Sequence, residues 1–223
     1  MHHAIFRRCN IAHVVVLLAG LLIWPTIGAA QTVSGQARAV QATVLGATTV
    51  LGDTGSLIDS DDARETSLST GSISSLGTAE VLHATTVSSI YGWDSLDSVA
   101  SEASLGNLSL SIPGNTIAAD SVLARALTPV SGASTAVSSI DGLFINGLPV
   151  EVSGSPNQVV SLIGGRVVLN EQQTSATGTV VNALHIVLDG LADVVIASAS
   201  TGINQGTSTT EPLPLPLPLP LGL

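Results

Sequence analysis

Turn signals recur along this chain at intervals of about 8–12 residues, a spacing that suits an all-β sandwich or barrel. Pro113-Gly114-Asn115, Asp141-Gly142 and Asn146-Gly147 are the clearest, and Asn146-Gly147 is the strongest short hairpin signal. Between the turns lie runs of Val, Ile, Leu, Ala and Thr, residues that fit a pleated, half-buried surface. Strands are expected over 33–45, 48–51, 80–90, 107–112, 116–127, 133–140, 143–152, 159–163, 166–171, 179–188 and 194–199. In the first of these the alternation slips near Ala39 and Val40, as a bulge would make it do. Residues 95–105 carry a helical alternative, since Leu96, Val99 and Ala103 lie near helical spacing. Residues 53–77 are polar and acidic and read as a long irregular excursion. The expected fold is a single-domain antiparallel β-sandwich or barrel-like structure. A β-solenoid is the alternative, weakened by the absence of a fixed repeat period.

The opening residues point to export. Arg7 and Arg8 precede an apolar run over 11–24, and Gly28 and Ala30 supply small residues at −3 and −1 of a cleavage site. The run is short of the ~20 residues that span a bilayer. Cleavage after Ala30 removes Cys9, the only cysteine, so the mature chain has no disulfide and no thiolate ligand. Residues 31–206 are then the β-rich extracellular domain, and 207–223 a Ser/Thr linker with a Pro-Leu repeat tail. In that tail every second residue lacks an amide hydrogen, which excludes helix and internal sheet and leaves polyproline II.

All six basic side chains are arginines, set against sixteen acids, for a net charge of −10. Loss of Arg7 and Arg8 would take this to −12. Such a surface is repelled by a phosphate backbone, which excludes nucleic acid as a partner, and it disfavours anionic membranes. The partner expected is a component of the cell envelope or its surroundings.

Few residues offer chemistry. Past residue 30 the histidines are His83 and His185, with no metal-binding His or Cys spacing. Asp59, Asp61, Asp62 and Glu65 offer oxygen ligands suited to calcium, but without the glycine and distal glutamate of a calcium loop; a solvated acidic segment is the plainer reading. No Gly-x-Ser-x-Gly elbow occurs. His185 and Asp189, four apart, could in principle join a serine in a triad, and Glu171 and Asp193 could be paired carboxylates of a glycosidase. Against both, 179–188 reads as a central strand covered on both faces. Asn182 would then lie at least partly buried, and His185 would be a satisfied core histidine beside Val181, Ala183 and Val187. Asn170, Glu171 and Gln172 are expected to close a strand and cap the turn that follows. Tyr91 and Trp93 sit together in Ile90-Tyr-Gly-Trp-Asp94 and form the one candidate stacking platform for a carbohydrate.

Residues 165–202 run Gly-Arg-Val-Val-Leu-Asn-Glu-Gln-Gln, then Val-Val-Asn-Ala-Leu-His-Ile-Val-Leu, then Ala-Asp-Val-Val-Ile-Ala-Ser-Ala-Ser-Thr-Gly. This stretch resembles the C-terminal signature of the choice-of-anchor P family of bacterial exported proteins, and Gly35-Gln-Ala-Arg-Ala-Val is similar to that family's opening strand. The resemblance implies a secreted or cell-surface module whose members end in varied sorting signals, and it implies no established enzymatic activity, cofactor or substrate. The chain departs from the family's pattern at its end, where no Leu-Pro-x-Thr-Gly motif, membrane span or basic cluster follows.

Overall fold

The computed structural model describes residues 32–73, 75–92 and 96–204. The expected signal peptide, the Pro-Leu tail and Trp93 lie outside them. Among the described residues there are thirteen strands and no helix. They are β1 (Thr32–Val44), β2 (Ala47–Asp53), β3 (Asp61–Ile73), β4 (Gly77–Ser89), β5 (Ser98–Ile112), β6 (Asn115–Pro129) and β7 (Thr135–Asp141). After these come β8 (Phe144–Ile145), β9 (Leu148–Pro149), β10 (Gln158–Leu162), β11 (Gly165–Ser175), β12 (Gly178–Leu188) and β13 (Ala192–Asn204).

Tight turns between long apolar-alternating runs leave each strand paired mainly with its chain neighbours. Two antiparallel sheets result. One runs β10-β11-β12-β13-β1-β2, and the other β3-β4-β5-β6-β8-β9, with β7 also on β6. They form a sandwich, not a closed barrel and not a solenoid. β1 and β13 close the first sheet by pairing the two ends of the described chain, Thr32 with Asn204.

Three expectations need correction. Most of the supposed irregular excursion over 53–77 is the 13-residue edge strand β3, paired with β4 from Asp61↔Ser89 to Ile73↔Gly77. It reads as loop because an edge strand places little in the core: only Gly71 and Ile73 are buried. The helical spacing over 95–105 belongs to β5, where Val99 and Ala103 are fully buried strand residues. The hairpin expected over 143–152 about the turn at Asn146-Gly147 shrinks to two two-residue strands, with both turn residues at positive φ as a type I′ turn requires.

The main core is built from Ala, Val, Leu and Ile of both sheets, including Val40, Leu82, Leu105, Leu169, Leu184, Ile186 and Ile196. A smaller cluster of Leu57, Ile90, Val99 and Ile203 lies apart from it. Buried hydroxyls join the sheets. Thr86 Oγ1 lies 2.6 Å from Ser101 Oγ, which donates to the Ser200 carbonyl at 2.8 Å. Thr128 Oγ1 meets Thr201 Oγ1 at 2.9 Å. Gly35 admits this close approach, since a Cβ there would lie 2.6 Å from Leu57 Cδ1 and 2.7 Å from Thr86 Oγ1.

A line of unusual backbone crosses each sheet. In the first, Gly52, Ala197 and Asn170 have positive φ and alternate across the register with Ala39 and Ala183, and Asn157, just before β10 and also at positive φ, extends the line beside Asn170. Pairing continues in unchanged register on either side: Arg38↔Ser198 and Val40↔Ile196 flank Ala39, and Asn182↔Ser198 and Leu184↔Ile196 flank Ala183. At this crease the two-residue alternation changes phase. Ala39 with Val40, Ala183 with Leu184, and Ile196 with Ala197 all point inward and are fully buried. The slip expected at Ala39 and Val40 is thus one part of a line that spans the sheet. Val81, Asn107 and Gly142 mark a corresponding line in the second sheet, where the residues face outward; Val81 is 69% exposed.

Candidate functional site

The crease has a consequence on the outer face of the first sheet. Where two successive residues point inward, the outward-facing residues on either side are three apart in sequence and are drawn together across the gap. Asn182 and His185 on β12 are such a pair, and Glu171 on β11 lies opposite Asn182. Asn182 Nδ2 donates to Glu171 Oε2 at 2.7 Å, and His185 Nδ1 lies 2.8 Å from the same oxygen. On the far side His185 Nε2 is 3.3 Å from Asp193 Oδ1 on β13. The His185 and Glu171 side chains are about four-fifths covered, whereas Asp193 is 56% exposed. Glu171 orients the ring through Nδ1, the orienting half of an acid–histidine relay. The other nitrogen faces a second carboxylate and not a hydroxyl.

Several expected placements are corrected here. His185 shares its face with Asn182 and Val187, not with Val181 and Ala183, because the phase change at Ala183 turns the rest of β12 over. The strand is central in its sheet, but among the described residues its outer face carries no second layer: Val180 is exposed, and Asn182, His185 and Val187 are half-buried. Asp189 lies in the turn after β12, where its N–H donates to the Gly164 carbonyl. Glu171 and Asp193 flank His185 from opposite sides and do not face one another. Asn170, Glu171 and Gln172 lie mid-strand in β11, which runs on to Ser175. Asn170, at positive φ, donates from Nδ2 to the Gly154 carbonyl, and Gln172 Nε2 donates to Asn170 Oδ1 and to the Ala136 carbonyl.

The same face carries a polar group that sequence reasoning missed. Arg38 donates from Nε to Asp53 Oδ2 at 3.0 Å and from Nη1 to Gln41 Oε1 at 2.7 Å. Gln36 Nε2 donates to Asp53 Oδ1. Arg38 and Gln41 are again three apart across the crease. Partial burial pushes the Asp53 carboxyl upward, but the Gly55 N–H, Gln36 and Arg38 outweigh it and hold the group below its ordinary value. The Ala39-Val40 slip was the one signal from which this pairing could have been inferred.

The acidic segment spends its carboxylates separately. Asp59 Oδ1 accepts the Asp61 N–H, and Asp62 Oδ2 accepts the Ile58 N–H and Arg64 Nε. Glu65 Oε1 lies 3.1 Å from His83 Nε2 on β4. The Ile58 N–H, followed by Arg64, holds the Asp62 carboxyl below its ordinary value. Among the described residues no group of three or more His, Cys, Asp or Glu converges as a metal site. Tyr91 is 75% exposed and donates its hydroxyl to Asp61 Oδ1, a bond that raises the phenol above its ordinary value. No protein-family model, no curated protein and no solved structure matches the chain.

Proposed function

We propose that this chain is an exported structural module of a bacterial cell surface or its surroundings, acting without catalysis. The observation that carries the proposal is the closure of the outer-face cluster on itself. Glu171 Oε2 serves both Asn182 and His185, and the second ring nitrogen of His185 faces Asp193. A histidine that works as a base needs that nitrogen for a substrate, a water or a nucleophile. The signal-like residues 1–30 and the resemblance of 165–202 to the choice-of-anchor P family support the location. No cofactor is needed for such a role. Host fractionation, followed by screening the purified chain against ester and glycoside substrates, tests it. Recovery in the envelope or medium with no turnover is expected. A hydrolytic activity lost in His185→Ala would overturn the proposal in favour of a hydrolase.

A second reading is favoured by the exposure of Tyr91, which leaves its ring face open to a sugar. In that case the module is an adhesin or carbohydrate binder using Tyr91 with Trp93. A glycan array separates the two: ligands bound by the parent and lost in Tyr91→Ala would establish binding.

A further inference from the structure

Five turns at one end of the sandwich are tied into a single platform. The Leu45 N–H donates to the Leu191 carbonyl, and the Asp189 N–H to the Gly164 carbonyl, both at 3.0 Å. Asn115, 4% exposed, accepts the Ile163 N–H on Oδ1 at 3.0 Å and donates from Nδ2 to the Ile163 carbonyl at 3.0 Å. Asn146 Nδ2 reaches the same Asn115 Oδ1 at 3.3 Å, while Asn146 Oδ1 accepts the Thr116 N–H. The β1–β2, β12–β13, β10–β11, β5–β6 and β8–β9 turns are thus linked one to the next.

This platform presents large apolar side chains to solvent: Leu45 is 78% exposed, Leu148 69% and Ile163 67%. Leu45 is the more telling because it also has φ +48, a conformation that suits Asn or Gly and is costly for leucine. Both its backbone and its exposure work against it in water. Within residues 44–47, 112–115, 145–148, 162–165 and 188–191 the one ionisable side chain is Asp189, in a chain of net charge −10.

We propose that this end of the sandwich docks shallowly into an uncharged lipid surface, with Leu45, Leu148 and Ile163 as the inserted tips. The three side chains together offer on the order of 400 Å² of apolar surface, comparable to the largest apolar patch of a typical monomer, which is often functional. That is about half of the ~800 Å² per partner that a stable dimer buries, which disfavours a second copy as the occupant. Exposed Arg166, next to Gly165, is the one cation beside these turns, and the acidic body outweighs it in repelling acidic headgroups. Neutral headgroups are the chemistry that remains. The docking rests on exposure and turn geometry and is independent of the structural role proposed above.

Sedimentation of the exported chain with phosphatidylcholine vesicles tests the docking, against a triple variant Leu45→Asn, Leu148→Ser, Ile163→Asn. The parent is expected to partition with the vesicles, and the triple variant to lose at least tenfold in partitioning. The single variant Leu45→Asn guards against misfolding. It is expected to bind more weakly yet melt about 1–3 °C higher, because asparagine suits the left-handed turn position. A parent that stays in the supernatant at millimolar lipid overturns the proposal, as does a triple variant that binds like the parent. A concentration-dependent dimer in ultracentrifugation, abolished by the triple variant, would also overturn it and assign the surface to self-association.

Discussion

The outer-face cluster and the turn platform are opposite solutions to exposure. Around His185, polar groups are half-covered and each is matched to a neighbour on the next strand. At the platform the backbone is matched just as fully, yet Leu45, Leu148 and Ile163 are left in water. A carboxylate or imidazole that has its partners inside the fold has little left to offer outside it. An exposed leucine held by a rigid turn keeps all of its surface for something else. On the structural reading proposed above, the contrast places the Glu171–His185 group within the architecture and leaves the exposed turn residues for contact with a partner.

The largest effect expected is at Glu171. Replacement by Ala removes two charge-assisted contacts and leaves the Asn182 amide unpaired, at a cost of about 2 kcal/mol in chemical unfolding. A change near zero would break the comparison, because the cluster would then not be structural. Acid should act next, at Asp53. Its folded carboxyl is held below the ordinary value of 3.8, so the folded state binds the proton less readily than the unfolded state. The stability it contributes is full above about pH 4 and is lost as pH falls through the folded value. Asp53→Asn should flatten that part of the pH profile, and an unchanged acid limb would remove Asp53 from the account. The smallest effect is expected at the platform. Ile163→Ser should shift unfolding by less than about 0.5 kcal/mol, as exposed positions do. A loss of several times that would show Ile163 to be a packing residue and so blur the distinction.

Much of the fold was legible because turn chemistry is local. Asn146-Gly147 and Pro113-Gly114 read correctly, since positive φ at a tight turn selects Asn and Gly and the fixed negative φ of proline suits the residue before, whatever surrounds them. The two-layer class followed from strand length and spacing. β3 was not legible, because it contributes so little to the core that its composition resembles a loop. The candidate site was half legible. Glu171, Asn182, His185 and Asp193 were all noticed, but strict alternation placed His185 beside Val181 and Ala183. Ala197 and Asn170 hold the left-handed conformation through their neighbours across the sheet, and Ala197 in particular carries no mark of it in its own identity. The faces of β12 therefore depend on β11 and β13, which no local pattern contains.

The crease also bears on how the chain avoids misassembly while it folds. In an ordinary antiparallel sheet, a strand that slips by two residues keeps its apolar side inward and loses little. Here β1, β12 and β13 of the first sheet each change phase at one position, and those positions lie on one line. A two-residue slip of β12 against β13 would displace Ala183 from Ala197 and put the two phase boundaries out of step. Between the displaced boundaries, an apolar side chain would turn outward against a neighbour that still points in. The line thus acts as an alignment mark shared by the three adjacent strands β12, β13 and β1, giving these runs of small, repetitive Val, Ala, Ser and Thr one preferred way to pair.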